Sequence, residues 1–143
     1  MNQNRNEVIL LFKKEISFFY FKKAKLLLDS EYFEESIQYF QKALDNDKSD
    51  AGIFYHKALA LIELTRYDEA IQCFNEAMEI NDETFLSHSS CFFFTKGYCL
   101  YRLSRFEEAI KNFNKTEDVD ESDSQSFEWR EKAFFKLNIN RAA

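Results

Sequence analysis

One pattern is written three times along this chain: EYFEESIQYFQKAL at 31–44, TRYDEAIQCFNEAM at 65–78 and SRFEEAIKNFNKTE at 104–117. The first two copies are 34 residues apart, and five extra residues separate the second from the third. Units this short have no apolar run able to bury itself, so they fold by stacking on their neighbours. Such stacks present surfaces rather than enclosed pockets, and the pattern points to binding before catalysis.

Within each unit, small residues recur where two helices must approach and bulky ones where they interdigitate. Ala24, Ala58 and Gly97 form one small column, Ser36, Ala70 and Ala109 a second, and Ala43, Ala77 and Thr116 a third. Aromatic columns lie at helical spacing from them: Phe33, Tyr67 and Phe106, then Phe40, Phe74 and Phe113. Small against large is the signature of antiparallel helix packing. The first half of each unit carries Tyr20, Phe54 and Phe93, followed seven residues later by Leu27, Leu61 and Leu100. That spacing marks one face of a helix.

The columns, their order and the 34-residue unit resemble the tetratricopeptide repeat. The resemblance implies an all-α fold, a right-handed superhelix of antiparallel helix pairs with about seven helices. It covers nearly the whole chain, read as one domain: a helical extension at 1–16, repeats at 17–50, 51–84 and 90–123, an insertion at 85–89, and a capping helix with its tail at 124–143. The family's proline near the unit end is replaced by Lys48, Asp82 and Glu121, and its turn glycine by Glu31, Thr65 and Ser104. Thr65 with Asp68, and Ser104 with Glu107, have the spacing of a helix capping box, which predicts that a capping signal stands in for the glycine.

With no proline and only Gly52 and Gly97, little punctuates strands or hairpins. Cys73, Cys91 and Cys99 are odd in number and lie at no metal or disulfide spacing, so reduced and mostly buried thiols are expected. The polar start MNQNRNE and the short apolar run from Val8 to Phe12 fit neither a secretory signal nor a membrane span. The expected location is the cytoplasm, with a mitochondrial or other intracellular assembly as the alternative.

Charge is unevenly spread. Residues 1–25 carry six basic groups against Glu7 and Glu15, so the other 118 residues hold a net charge of −10 within a total of −6. Basic residues here either solvate the outer face of an aromatic-rich helix or steer an acidic partner. Nucleic acid is not an expected partner, because an acidic stack repels phosphate over most of its surface.

The first helix is apolar nearly all round. Val8, Ile9, Leu10, Leu11, Phe12 and Ile16 are followed by Phe18, Phe19, Tyr20 and Phe21 in succession, more than one stripe can hold. Phe19 and Tyr20 are expected to face the second helix and the next unit, and Phe18 and Phe21 the concave side. Val8, Ile9, Leu11 and Phe12 project beyond the stack as an overhang. That overhang has three alternatives: to fold back as a cap, to pair with another copy in a homodimer, or to dock on a partner. At the far end Glu131 occupies the small column, so the last helix reads as a cap with a polar outer face. Trp129 lies off the packing columns, on or near the inner face.

The resemblance implies a peptide-binding groove on the concave face of the first helices. It would be lined by Phe18, Phe21, Lys22 and Lys25, by Tyr55, His56 and Leu59, and by Phe94, Thr95, Tyr98 and Arg102. The family's chaperone-tail-binding members hold a carboxylate there with a basic, asparagine-rich clamp. This chain has Phe21, Tyr55, Cys91 and Thr95 at most of those places, so an apolar or amphipathic helix is the better ligand.

No glycine-rich phosphate loop, paired histidines or cysteine with an evident base is present, and His88 with Cys91 makes only half a metal site. No enzyme activity, metal or cofactor is expected. Two functions remain open: a small structural subunit of a larger protein assembly, and an adaptor that binds a peptide in its groove.

Overall fold

The structure, a computed structural model, describes residues 2–119 and 124–143. Among them run seven helices and no strand: α1 (Asn2–Asp29), α2 (Phe33–Asn46), α3 (Ala51–Glu63), α4 (Tyr67–Ile80), α5 (Glu83–Arg102), α6 (Phe106–Val119) and α7 (Ser124–Ala142). Each packs on the helix before and after it, as a solenoid requires. Residues 120–123 of the acidic run, Glu121 among them, lie outside the described residues.

The columns close the core as the small-against-large pattern demands. Ala24, Phe40, Ala43, Ala58, Ala70, Phe74, Ala77, Ala109 and Phe113 have no solvent exposure. Gly97 is glycine because a Cβ there would come within 2.8 Å of the Phe113 ring. Thr116, in an alanine column, is buried and satisfies its hydroxyl by donating to the Asn112 carbonyl at 3.2 Å.

The turns between paired helices correct the capping-box expectation. Thr65 and Ser104 do not cap the helices that follow. They lie in the left-handed region with φ of 57° and 60°, as Glu31 does at 65°. The N-cap of α4 is Arg66, which makes no side-chain capping bond. The preceding helix dictates this geometry. Thr65 N–H donates to the Ile62 carbonyl and Arg66 N–H to that of Leu61, both at 2.8 Å, and the pair recurs at Glu31 with Tyr32 and at Ser104 with Arg105. These are Schellman closures, which need a left-handed residue whatever its side chain.

True caps stand at the starts of α3 and α5. Asp50 accepts from Gly52 N–H at 2.8 Å and Asp82 from Phe85 N–H at 2.9 Å. The other carboxylate oxygen of Asp82 accepts from Ala51 N–H at 3.1 Å, so the residue at the proline position ties two first helices together.

Residues 85–89 lie within α5, which is 20 residues long against 13 for α3. The helix breaks at His88, where φ is −127° and ψ is 21°. Phe85 is buried against Phe92 and Phe93, at 5.1 and 6.1 Å between ring centroids.

At the N-terminus, α1 runs on as one continuous helix with residues 2–16 all exposed, and the overhang does not fold back on the stack. Tyr20 meets Tyr39 of α2 at 6.0 Å as expected. Phe19 does not join it: its side chain is 65% exposed, because it points to the side where a preceding unit would stand. At the other end Glu131 is exposed, and α7 packs only on α6 and α5 among the described residues.

Candidate functional site

The inner face is built from α1, α3 and α5, with α7 beyond them. On α1, Phe21 turns inward against Phe40 at 6.0 Å and His56 at 5.3 Å, with the Lys25 ammonium 5.6 Å from its ring centroid. Phe18 stays at the margin, 57% exposed, with Lys22 lying 4.6 Å over its ring. On α3, Tyr55 packs against Phe92 at 4.8 Å, His56 at 5.6 Å and Phe74 at 6.0 Å, while Leu59 is half-buried. On α5, Phe94 rests on Phe113 at 5.8 Å, and Thr95 donates to the Cys91 carbonyl at 2.7 Å. Arg102 donates to the Tyr98 hydroxyl at 2.7 Å and lies 5.0 Å over Tyr67.

These contacts bring Phe21, Lys25, Tyr55 and His56 together and join Tyr98 to Arg102, while Phe94 packs on α6 and Phe18 stays exposed, and most of the rings close on one another. Tyr55 and His56 are wedged between units, and Tyr98 is clasped by Tyr67, Arg102 and Trp129. Trp129 itself is held by Tyr98 at 5.1 Å and Tyr101 at 5.2 Å, so it contributes packing. Lys25 and Arg102 are engaged over rings, and with Phe21, Tyr55, Cys91 and Thr95 lining the face no cationic clamp assembles.

What stays open is a cleft of about 300 Å³ between α3 and the lengthened start of α5. Its walls are Gly52, Tyr55 and His56 on one side and Thr84, His88, Cys91 and Phe92 on the other. Cys91 was expected in the groove as the residue at a clamp position, whereas Gly52, Thr84, His88 and Phe92 were not among the expected lining. The signal for them is the insertion at 85–89, which carries the first turns of α5 past the end of an ordinary unit. Among the described residues no three His, Cys, Asp or Glu side chains converge as a metal centre would require.

Two groups in this region give testable chemistry. Burial pushes the His56 imidazole below its usual 6.5, the Gly52 carbonyl bound at 2.8 Å to Nδ1 pulls it partly back, and Lys25 pushes it down again. Between 6.5 and the lower folded value the unfolded chain binds a proton that the folded chain refuses, so stability rises with pH there. The contribution is whole above 6.5 and is lost as pH falls through the folded value. Urea midpoints near neutrality and about 1.5 pH units lower should therefore differ, and His56→Gln should flatten the difference. An unchanged slope in that variant would assign the acid sensitivity to other groups.

Burial likewise pushes the thiols of Cys73 and Cys99 to about 11 and about 12, whereas Cys91 is exposed. Thiolate is the reactive form. The native chain should take up one equivalent of iodoacetamide at Cys91 and all three in denaturant, read by intact mass. Rapid labelling of Cys73 or Cys99 would mean that the stack opens readily.

The overhang residues Val8, Ile9, Leu11 and Phe12 lie far from this face on the projecting end of α1, each uncovered. No helix among the described residues is long and apolar enough to cross a membrane.

Two family models, both described as Tetratricopeptide repeat, match residues 49–122 and 19–50. No curated protein matches the sequence. Among solved structures, the first TPR of Spaghetti (RPAP3) bound to the HSP90 peptide SRMEEVD is similar with a TM-score of 0.79 and 17% identity, over 87% of this chain and 95% of that one. The Arabidopsis OM64 TPR domain follows at 0.76 and 16%, over 85% and 96%. MamA stands at 0.78 and 15%, over 88% and 66%. At these identities the likeness carries the fold, and the matched repeats carry the family. A period of paired helices, small columns facing aromatic ones and left-handed turns closing each pair identify the chain as a member of the tetratricopeptide repeat family.

Proposed function

We propose that this protein is a non-catalytic protein–protein interaction module that serves as a small structural subunit of a larger assembly, held there through its first helix. The observation that carries this reading is the projecting half of α1, on which Val8, Ile9, Leu10, Leu11, Phe12 and Ile16 are all exposed. An apolar surface of that extent on an ordered helix is what an obligate partner covers. The closure of the groove rings on one another supports the same reading, since it leaves the inner face little room for an exchangeable ligand. Three free thiols suit a reducing compartment, and the cytoplasm is the location we favour. The test is a native pull-down from source cells with the intact chain and with one lacking residues 1–12. Loss of a stoichiometric complex on truncation is the expected result, and an unchanged complex would sink the reading.

A second reading rests on the cleft between α3 and α5. The RPAP3 domain holds an HSP90 peptide in its solved complex. Here the cleft is mostly apolar and lacks a carboxylate clamp, so its ligand would be an apolar or amphipathic segment. Cys91→Trp fills the cleft without removing a packed ring. Partners lost with that variant and retained on truncation would make the protein an adaptor.

A further inference from the structure

The exposed side of α1 is a face that every later unit buries. Phe19 and Leu26 correspond by the repeat to Ile53 and Ala60 on α3, Phe92 and Cys99 on α5, and Ser126 and Ala133 on α7. Those six are all but inaccessible, at 2% exposure or less, whereas Phe19 and Leu26 stand at 65% and 69%. The covering element is the second helix of the preceding unit: Phe92 lies 6.2 Å from Phe74 of α4, and α7 has only α6 and α5 to pack on.

A polar bond repeats with the apolar one. Lys57 donates to Gln41 at 2.8 Å, Lys96 to Asn75 at 2.6 Å and Arg130 to Asn114 at 3.3 Å. In each case a base on a first helix reaches the residue that directly follows the buried phenylalanine of the preceding second helix, Phe40, Phe74 or Phe113. The fourth member of that series is Lys23. Among the described residues it meets no second helix of another unit and lies 4.3 Å over the Tyr39 ring of its own.

We propose, on the subunit reading above, that this face of α1 seats an acidic amphipathic helix of a partner protein in the place of a preceding unit's second helix. An aromatic residue of that helix packs on Phe19 and Leu26, and an amide or carboxylate oxygen one residue further on accepts from Lys23. Charge selects an acidic partner. Arg5, Lys13 and Lys14 on the same helix stand in no ion pair among the described residues, and Lys22, Lys23 and Lys25 extend the basic series toward Phe19 and Leu26. A second copy fits poorly. Two α1 helices, each with six basic groups against Glu7, Glu15 and Asp29, would oppose like net charges, and each copy's own second helices already have Phe40, Phe74 and Phe113 fully enclosed.

The probe is a labelled peptide of residues 65–81 with serine at position 73, a second helix whose sequence already fits such a face. Fluorescence anisotropy against the full chain should give saturable binding that weakens with salt. Phe19→Glu with Leu26→Glu should weaken it at least tenfold and Lys23→Ala several-fold, with circular dichroism unchanged because all three side chains are exposed. Absence of saturable binding, or binding indifferent to these variants but lost with Cys91→Trp, overturns the helix seat. Sedimentation as a dimer that Phe19→Glu dissociates overturns it in favour of a second copy. No peptide binding beside a complex still lost on removing residues 1–12 sinks the helix seat and leaves the subunit reading standing. Peptide binding beside a complex indifferent to truncation does the reverse.

Discussion

Phe74→Ala should lower stability by about 3–5 kcal/mol, the range for emptying a packed aromatic site. The ring has no solvent exposure, and it touches Tyr55 of its own unit at 6.0 Å and Phe92 of the next at 6.2 Å. Removing it opens a cavity at the seam between two units. The surroundings cannot collapse into that space, because Phe92 is itself held by Phe85 and Tyr55. Against a total of roughly 5–15 kcal/mol for a domain, one side chain then decides whether the stack is folded at physiological temperature. In a solenoid the loss does not stay local, since each unit is stabilised mainly by its neighbours. Phe19→Ala is the control: the same ring chemistry on an open face should change stability by no more than about 0.5 kcal/mol. Urea titration followed by circular dichroism reads both, with the slope unchanged and only the midpoint moving. A loss below about 1 kcal/mol for Phe74→Ala would mean that the phenylalanine column does not hold the middle of the stack.

That column was legible in the sequence because packing writes itself as period. A residue enclosed between helices must be small or large according to its depth, and Ala24, Ala58 and Gly97 or Phe40, Phe74 and Phe113 repeat the requirement unit after unit. The turns were misread for the opposite reason. The spacing of Thr65 with Asp68 offers a capping bond, but the backbone bonds closing the previous helix reach the turn residue first and hold it left-handed. Asp68 and Glu107 are left to the first turns of their helices, where they favour the helix dipole.

Direction was the other blind spot. Phe19 sits at a position that is core in every later unit, and a periodic pattern does not say whether anything stands before the first repeat. For the candidate site, the repeat columns offered a set of inner-face candidates but not how far their rings turn toward one another. The closure of Tyr55 on Phe92 and of Tyr98 on Trp129 depends on side-chain rotation, which spacing does not encode. The cleft depends further on the break at His88, a backbone angle with no residue-type signature such as proline or glycine.

The left-handed turns give the second large expectation, a gain. Combining Glu31→Gly, Thr65→Gly and Ser104→Gly should stabilise the protein by about 2 kcal/mol. A residue with a Cβ in this region costs roughly 1–2 kcal/mol from crowding against the following carbonyl. Glycine removes that cost but adds about 0.4–1 kcal/mol of unfolded-chain freedom, so the net gain at each turn is smaller. The closing hydrogen bonds at 2.8 to 3.0 Å involve only backbone and survive the change. Thr65 should contribute most, because a β-branched side chain fits φ of 57° least well. Its replacement leaves Arg66 paired with Glu69 at 2.7 Å, so no side-chain contact of the turn is lost. Asn81 supplies the internal comparison. It is also left-handed, at φ of 49°, but asparagine tolerates the region, and Asn81→Gly should be close to neutral. Thermal unfolding of the triple variant should shift upward by on the order of 8 °C, taking about 4 °C per kcal/mol for a chain of this size. Equal and negligible shifts for Thr65→Gly and Asn81→Gly would mean that the turns carry no strain, and that hydrogen bonding alone sets their shape.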